Sequence, residues 1–214
     1  MCNDGVVPTE SSRVRSMNET RDRILDVALD VLGESPDAGM GDIAAAAGVV
    51  RRTVYGHFPS RLDLVRTLTE RAVTEMTAVL GEVNASFTEP DAAWAEFVAR
   101  VWPVAHRYRV LLALRRGEYG EAIHGLLGPV DELLADLVER GQDGDVFARH
   151  LPAAMLSRVA YGVVFAIADS DRSSGTVSAR AATITSLLML GVPETRAMAL
   201  AGDDDDTSCP RPRG

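Results

Sequence analysis

The sequence predicts an all-α protein, a small three-helix head followed by a larger helical body. Three observations carry this. Apolar residues recur at helical spacing along most of the 214 residues. Two short helical patterns meet at a glycine between residues 41 and 58. No stretch alternates apolar and polar residues in the manner of a half-buried strand.

The elements follow in order. Residues 1–15 are polar, carry Gly and Pro, and read as a disordered tail. Ser16 and Glu19 have the spacing of a capping box, and Ile24, Ala28, Val31 and Leu32 form the stripe of a first helix ending near Gly33. Glu34 to Gly39 is a turn by composition. Ile43, Ala44 and Ala47 give a second helix one apolar face, and Gly48 suits a turn through positive φ. Val54 and Phe58, four apart, point a third helix inward. Its other side carries Arg51, Arg52, Tyr55 and Gly56. This is the pattern of a helix-turn-helix, whose second helix fits a DNA major groove.

The body begins with Leu64, Leu68, Ala72, Met76 and Leu80, a four-residue repeat predicting a helix from Ser60 to about Leu80. Gly81 to Pro90 reads as a loop. Asp91 to Trp102 is a helix ended or kinked by Pro103, and Val104 to Arg116 resumes the pattern. Glu121 to Arg140 is helical with an interruption at Pro129, and Gly141 to Asp145 is a break. Two strongly apolar helices follow, Pro152 to Asp169 and Val177 to Leu190. From Gly202 on, four consecutive Asp and a Pro-Arg-Pro-Arg run read as a solvated tail, so that residues 201–214 are expected to be disordered.

Composition narrows the class. The net charge is −9, yet all 22 basic residues are Arg, and between Arg13 and Arg71 basic and acidic residues balance. A neutral head with clustered Arg on an acidic body orients itself near DNA. Cys2 and Cys209 both lie in the tails, which excludes a disulfide framework and suits a reducing cytoplasm. Residues 1–15 lack a signal-peptide core, and the apolar runs fall short of a membrane span. No membrane association is expected.

Arg51 and Arg52 can each bind phosphate or fork onto guanine. Thr53 and Tyr55 carry hydroxyls spaced to reach flanking phosphates, contacts that set register without reading sequence. His57 can donate to phosphate or, if charged, favour its helix end. Ile43, Ala47, Val54 and Phe58 read as core.

The order Asp42-Ile43-Ala44, Gly48-Val49, Thr53-Val54-Tyr55 and His57-Phe58-Pro59-Ser60-Arg61 resembles the signature of the TetR family of bacterial transcriptional regulators. The likeness spans roughly residues 17–65; beyond residue 80 it is one of helix pattern and length. Val50 stands where the family usually has a capping Ser, Arg52 where a small residue is common, and Gly39 where a Thr is common. The resemblance implies that Arg61 is a phosphate contact, at a helix start whose backbone N–H groups also favour anions. It implies a DNA-binding domain over 16–60, an effector-binding and dimerisation domain over 61–200, and a dimer formed by the last two long helices. Leu156, Val159, Val163 and Ile167 on one, with Ala181, Ile184 and Leu188 on the other, would then meet a second subunit. The implied function is a homodimeric repressor on a roughly palindromic double-stranded operator, released when a small-molecule effector enters the body.

The effector pocket is placed only by composition. Trp94, Phe97, Trp102 and His106 gather most of the polarisable groups of the first half of the body, and Tyr108 lies beside them. Tyr119, His124, Met155, Tyr161 and Phe165 do so further on. Two alternatives compete. One is a homodimeric helical ligand-binding or interaction protein without specific DNA binding. The other is a di-iron enzyme, suggested by Glu121 and His124 in Glu-x-x-His, but such sites need the motif twice and there is no second copy. With no phosphate loop, nucleophile elbow or zinc motif present, neither catalysis nor any cofactor or metal is expected.

Overall fold

The computed structural model describes residues 10–115, 117–170 and 178–202. Eleven helices, α1 to α11, and no strand occur among them. In the head, α1 (Glu10–Glu34), α2 (Met40–Ala46) and α3 (Arg51–His57) pack around Ile24, Leu25, Ile43, Val54 and Phe58, each no more than 1% exposed. The stripe expected on the first helix is the buried face of α1. Its start is not where capping spacing put it. α1 already runs at Glu10, so residues 10–15 are helix rather than tail, and Ser16 is an interior residue whose carbonyl accepts from Thr20 Oγ1 at 2.9 Å. Continuous i to i−4 bonding outweighs a local cap where nothing interrupts it. The remainder of the expected tail, residues 1–9, lies outside the described residues, as do residues 203–214 of the acidic tail.

Gly39 caps α2, its N–H donating to Asp42 Oδ2 at 2.8 Å. Gly48 adopts φ +66°, the left-handed conformation that lets the chain reverse into α3. The N-terminal cap of α3 is Val50, which makes no side-chain cap bond. Ser60 does cap α4: its Oγ accepts from the amide of Asp63 at 3.2 Å and donates to that residue's carboxylate at 2.7 Å.

The body is built on α4 (Arg61–Ser86), about 39 Å long at 1.5 Å per residue. It continues through Gly81 because Val83 extends the buried stripe by three more positions, so the expected loop shrinks to residues 87–89. Pro103 does not end α5 (Pro90–Arg107). Pro103 and Ala99, whose carbonyl loses its donor, both face solvent, where water replaces the bond. After α6 (Val110–Arg115) come α7 (Gly120–Leu126) and α8 (Gly128–Asp143), divided where Pro129 enters the first turn of α8. α8 runs past Gly141 because that glycine is buried beneath the ring of Phe147. The two apolar helices are α9 (Ala153–Ser170) and α10 (Ala179–Met189), and a short α11 (Glu194–Leu200) follows that composition had not indicated. An ion pair of Asp91 with Arg196, at 2.8 Å, ties α11 to the start of α5.

α9 lies against α8, α10 and α5, while α4 packs on α5, α7 and α8. The core of the body centres on Trp94, Phe97, Leu134 and Leu80, all at most 1% exposed. The head touches the body through α1 against α4 and α6.

Candidate nucleic-acid interface and body cavity

Burying Val54 and Phe58 against α1 and α2 fixes which side of α3 faces out. Arg51, Arg52, Tyr55 and Gly56 are exposed, Thr53 and His57 half-buried, and Val50 is 69% exposed. No hydrogen bond or ion pair engages Arg51 or Arg52 among the described residues. Arg51 lies across Gly41 of α2 so closely that a Cβ there would come within 2.5 Å of its guanidinium. The ring of His57 lies 6.3 Å from that of Phe58 at the last turn of α3, where a positive charge is favoured. One contributor escaped notice in the sequence. The Arg21 guanidinium sits 5.3 Å over the ring of Phe58 and so adds a cation beside α3.

Arg61 departs from expectation. Its guanidinium turns away from α3, donating to the Tyr119 hydroxyl at 3.3 Å and to the carbonyl of Pro36. It lies 5.3 Å over the Tyr119 ring and 3.8 Å from Glu118. A π face, a carbonyl and a carboxylate at one place hold the cation better than open solvent does. Arg61 therefore joins the α1–α2 turn to the start of α7 and is not presented as a phosphate contact. Burial, then the neighbouring Glu118 carboxylate, raises the Tyr119 phenol above its ordinary pKa.

Beneath α7 lies a small cavity, with about 40 Å³ of room for the centre of a water-sized sphere. Thr69, Ala72 and Met76 of α4 form one wall, and Val104, Tyr108, Leu111 and Leu112 another. Arg115, Ile123, Leu127, Tyr161 and Phe165 close it. The rings of Tyr161 and Phe165 meet edge to face at 5.3 Å. Burial raises the Tyr108 phenol, as does its 2.6 Å hydrogen bond to Glu75.

The residues proposed for a pocket from composition are thus divided. Tyr161, Phe165 and Tyr108 stand on the cavity wall. Trp94 and Phe97 are core instead, with Trp94 Nε1 donating to Ser186 Oγ at 3.0 Å. Trp102 and His106 pair with each other, ring to ring at 4.6 Å, on a half-buried face of α5. Tyr119 lies under Arg61, His124 sits 3.5 Å from Arg115, and Met155 is 47% exposed on the outside of α9. Large rings fill cores; aliphatic side chains from four helices make most of this wall.

Of the residues expected at a subunit contact, Leu156 faces the core and is 1% exposed, because it sits on the inner stripe of α9 with Ala160 and Val164. The others share one outward face: Val159 and Leu188 are exposed, and Val163, Ile167, Ala181 and Ile184 half-buried. No cluster of His, Cys, Asp or Glu suited to a metal occurs among the described residues.

A helix-turn-helix with a free cationic face, set on a larger helical body that encloses an apolar cavity, defines a two-part helix-turn-helix protein. Residues 24–68, the head and the first turns of α4, match the bacterial regulatory proteins of the tetR family. It is 43% identical over 74 residues to the HTH-type transcriptional repressor LfrR of Mycolicibacterium smegmatis, a stretch covering 35% of this chain and 39% of that one. The chain thus spans about two-fifths of the length of that curated relative. Solved structures share the whole architecture. The fatty acid degradation regulator FadR of Bacillus halodurans superposes with TM-score 0.68 at 20% identity, over 80% of this chain and 94% of that one. LfrR of Mycobacterium smegmatis in complex with proflavine does so with TM-score 0.64 at 24% identity, over 82% and 96%.

Proposed function

We propose that the protein is a DNA-binding transcriptional regulator acting as a homodimer, a repressor that leaves a roughly palindromic operator when a small molecule enters the body cavity. The observation that carries this reading is the outer face of α3. Arg51, Arg52, Tyr55, Thr53 and His57 converge there over a fully buried helix-turn-helix core, with no acidic partner for either arginine among the described residues. In this reading Arg51 and Arg52 meet bases or phosphates while Thr53, Tyr55 and His57 position the helix. Residues 10–60 form the DNA-binding domain and residues 61–200 the effector and dimerisation domain.

The dimer would use the outer faces of α9 and α10. Met155, Val159 and Leu188 each stay more than 40% exposed there, in line with the half-buried Val163, Ile167 and Ile184. A continuous apolar stripe of this kind marks an interface. α9 has the length and composition of a membrane-crossing helix, but it packs on α5, α8 and α10, which supports a core-and-interface helix in a cytoplasmic protein. The solved relative with proflavine supports a small-molecule effector.

Coupling between cavity and head would run through Arg61. α7 contributes Ile123 to the cavity and begins beside Tyr119, which Arg61 connects to the turn preceding α2. A ligand that shifts α7 changes the seat of Arg61 and with it the angle of the head, so the two head spacings differ in ligand affinity. Gel-shift titration of DNA upstream of the protein's own reading frame tests the function. A discrete complex resistant to scrambled competitor is expected. Equal affinity for scrambled DNA would instead favour a helical ligand-binding protein without specific DNA recognition.

A further inference from the structure

We infer that the body cavity takes a largely apolar ligand carrying one carboxylate-type anionic group, held by the Arg115 guanidinium and the Tyr161 hydroxyl. The inference rests on the reading of this cavity as the effector site. Most of the wall is aliphatic or aromatic, so the bulk of the ligand is apolar. Four lining side chains carry polar groups, and two of these are already engaged. Thr69 Oγ1 donates to the Val65 carbonyl at 2.9 Å, and the Tyr108 hydroxyl donates to Glu75 at 2.6 Å.

Tyr161 is different. It is 7% exposed, its ring is held edge-on by Phe165, and its hydroxyl has no hydrogen-bond partner among the described residues. Burial pushes this phenol up to about 12, with Asp131 adding to the rise and Arg115 opposing it, so it is a neutral O–H donor. The hydroxyl is not sealed away from solvent, so it offers a free donor on the cavity wall to whatever enters. Arg115 stands at the mouth. It is exposed, forms no ion pair among the described residues, and has the His124 ring nitrogen, at 3.5 Å, as its nearest polar neighbour. No Asp or Glu lines the cavity. Asp131 faces Tyr161 electrostatically but is not part of the wall, and Glu75 is taken up by Tyr108 and Arg107. A cationic ligand would thus meet a like charge with no counter-charge. A neutral ligand would satisfy Tyr161 and leave Arg115 idle. An anion satisfies both.

A matched series separates these cases: 4-phenylbutyrate, 4-phenylbutan-1-ol and 4-phenylbutylamine share one apolar body and differ in head group. Isothermal titration of the full chain should give the carboxylate about tenfold tighter than the alcohol, with the amine weakest. Arg115→Gln should bring the carboxylate down to the alcohol and leave the alcohol unchanged. Tyr161→Phe should weaken both, by about three- to tenfold. Ala72→Phe, which fills the cavity, should abolish binding of all three. An amine that binds as well as the acid, or an acid preference that survives Arg115→Gln, overturns the ligand class while leaving the cavity as an effector site. Binding unaffected by Ala72→Phe, or no binding by any of the three, overturns the effector-site reading and the class with it.

Discussion

Replacing Arg61 by Met separates two roles for this residue that the sequence alone would merge. Met keeps the length and apolar stem but removes the guanidinium. The variant loses a charge-assisted hydrogen bond to the Pro36 carbonyl, worth about 1.5–3 kcal/mol in ordinary contexts, and the 3.3 Å contact with the Tyr119 hydroxyl. The cation over the Tyr119 ring contributes about 0.5–1 kcal/mol more. Glu118, 72% exposed, adds little through solvent. Against these stands a gain: Arg61 Nε is buried without a partner, and its removal relieves a penalty of about 1–3 kcal/mol. The balance is a loss of about 1–2 kcal/mol, or roughly 2–8 °C in melting temperature for a chain of this size. Calorimetry reads that loss. The slope of DNA affinity against salt reads the other role, since one lost phosphate contact lowers it by about 0.9. A tether predicts a lower melting temperature with an unchanged slope. An unchanged melting temperature with a slope reduced by about 0.9 would show that Arg61 lies on DNA and that its place beside Tyr119 is mistaken.

Arg52→Ala should behave in the opposite way, leaving the melting temperature unchanged. It should cost about 1–3 kcal/mol on one symmetric pair of operator positions if Arg52 reads a base, or lower the salt slope evenly if it meets phosphate; unaltered binding to every DNA would refute both. Val50→Ser should return about 1 kcal/mol to the start of α3. Val50 is a 69% exposed cap with no side-chain bond, so slower amide exchange at Thr53 is expected, and a lower melting temperature would contradict this. Gly141→Ala places a methyl 2.0 Å from the Phe147 ring. It should destabilise the body by about 1–3 kcal/mol, seen in chemical denaturation, and no loss would mean that Phe147 does not pack there.

Local chemistry made the head legible. Ile43, Val54 and Phe58 are buried as their spacing demanded, and Gly48 takes the left-handed turn its position required. The misreadings have physical causes. Gly81 and Pro103 look like breaks, but Val83 is buried two residues after the first and the second faces water. Tertiary packing and solvent decide such cases, not intrinsic preference. For Arg61 the resemblance implied a phosphate contact, and its tie to Tyr119, 58 residues away, lies beyond any local pattern. The cavity was hardest to foresee. Trp94 and Phe97 drew attention by size and turned out to be core, whereas Ala72, Leu111 and Ile123 form the wall and carry no signature of their own. Tyr161 is the exception, distinguished by a hydroxyl free of protein partners on that wall.

In the proposed dimer two copies of α3 read DNA together. Hydroxyl-radical footprinting of the upstream DNA, with and without about 5 bp inserted between the protected half-sites, tests it most directly. Two protected blocks whose centres lie about 10 bp apart, or a multiple of that, are predicted, with joint protection lost on insertion because one half-site turns to the opposite face of the duplex. Protection and affinity unchanged by the insertion would contradict the dimeric docking of α3.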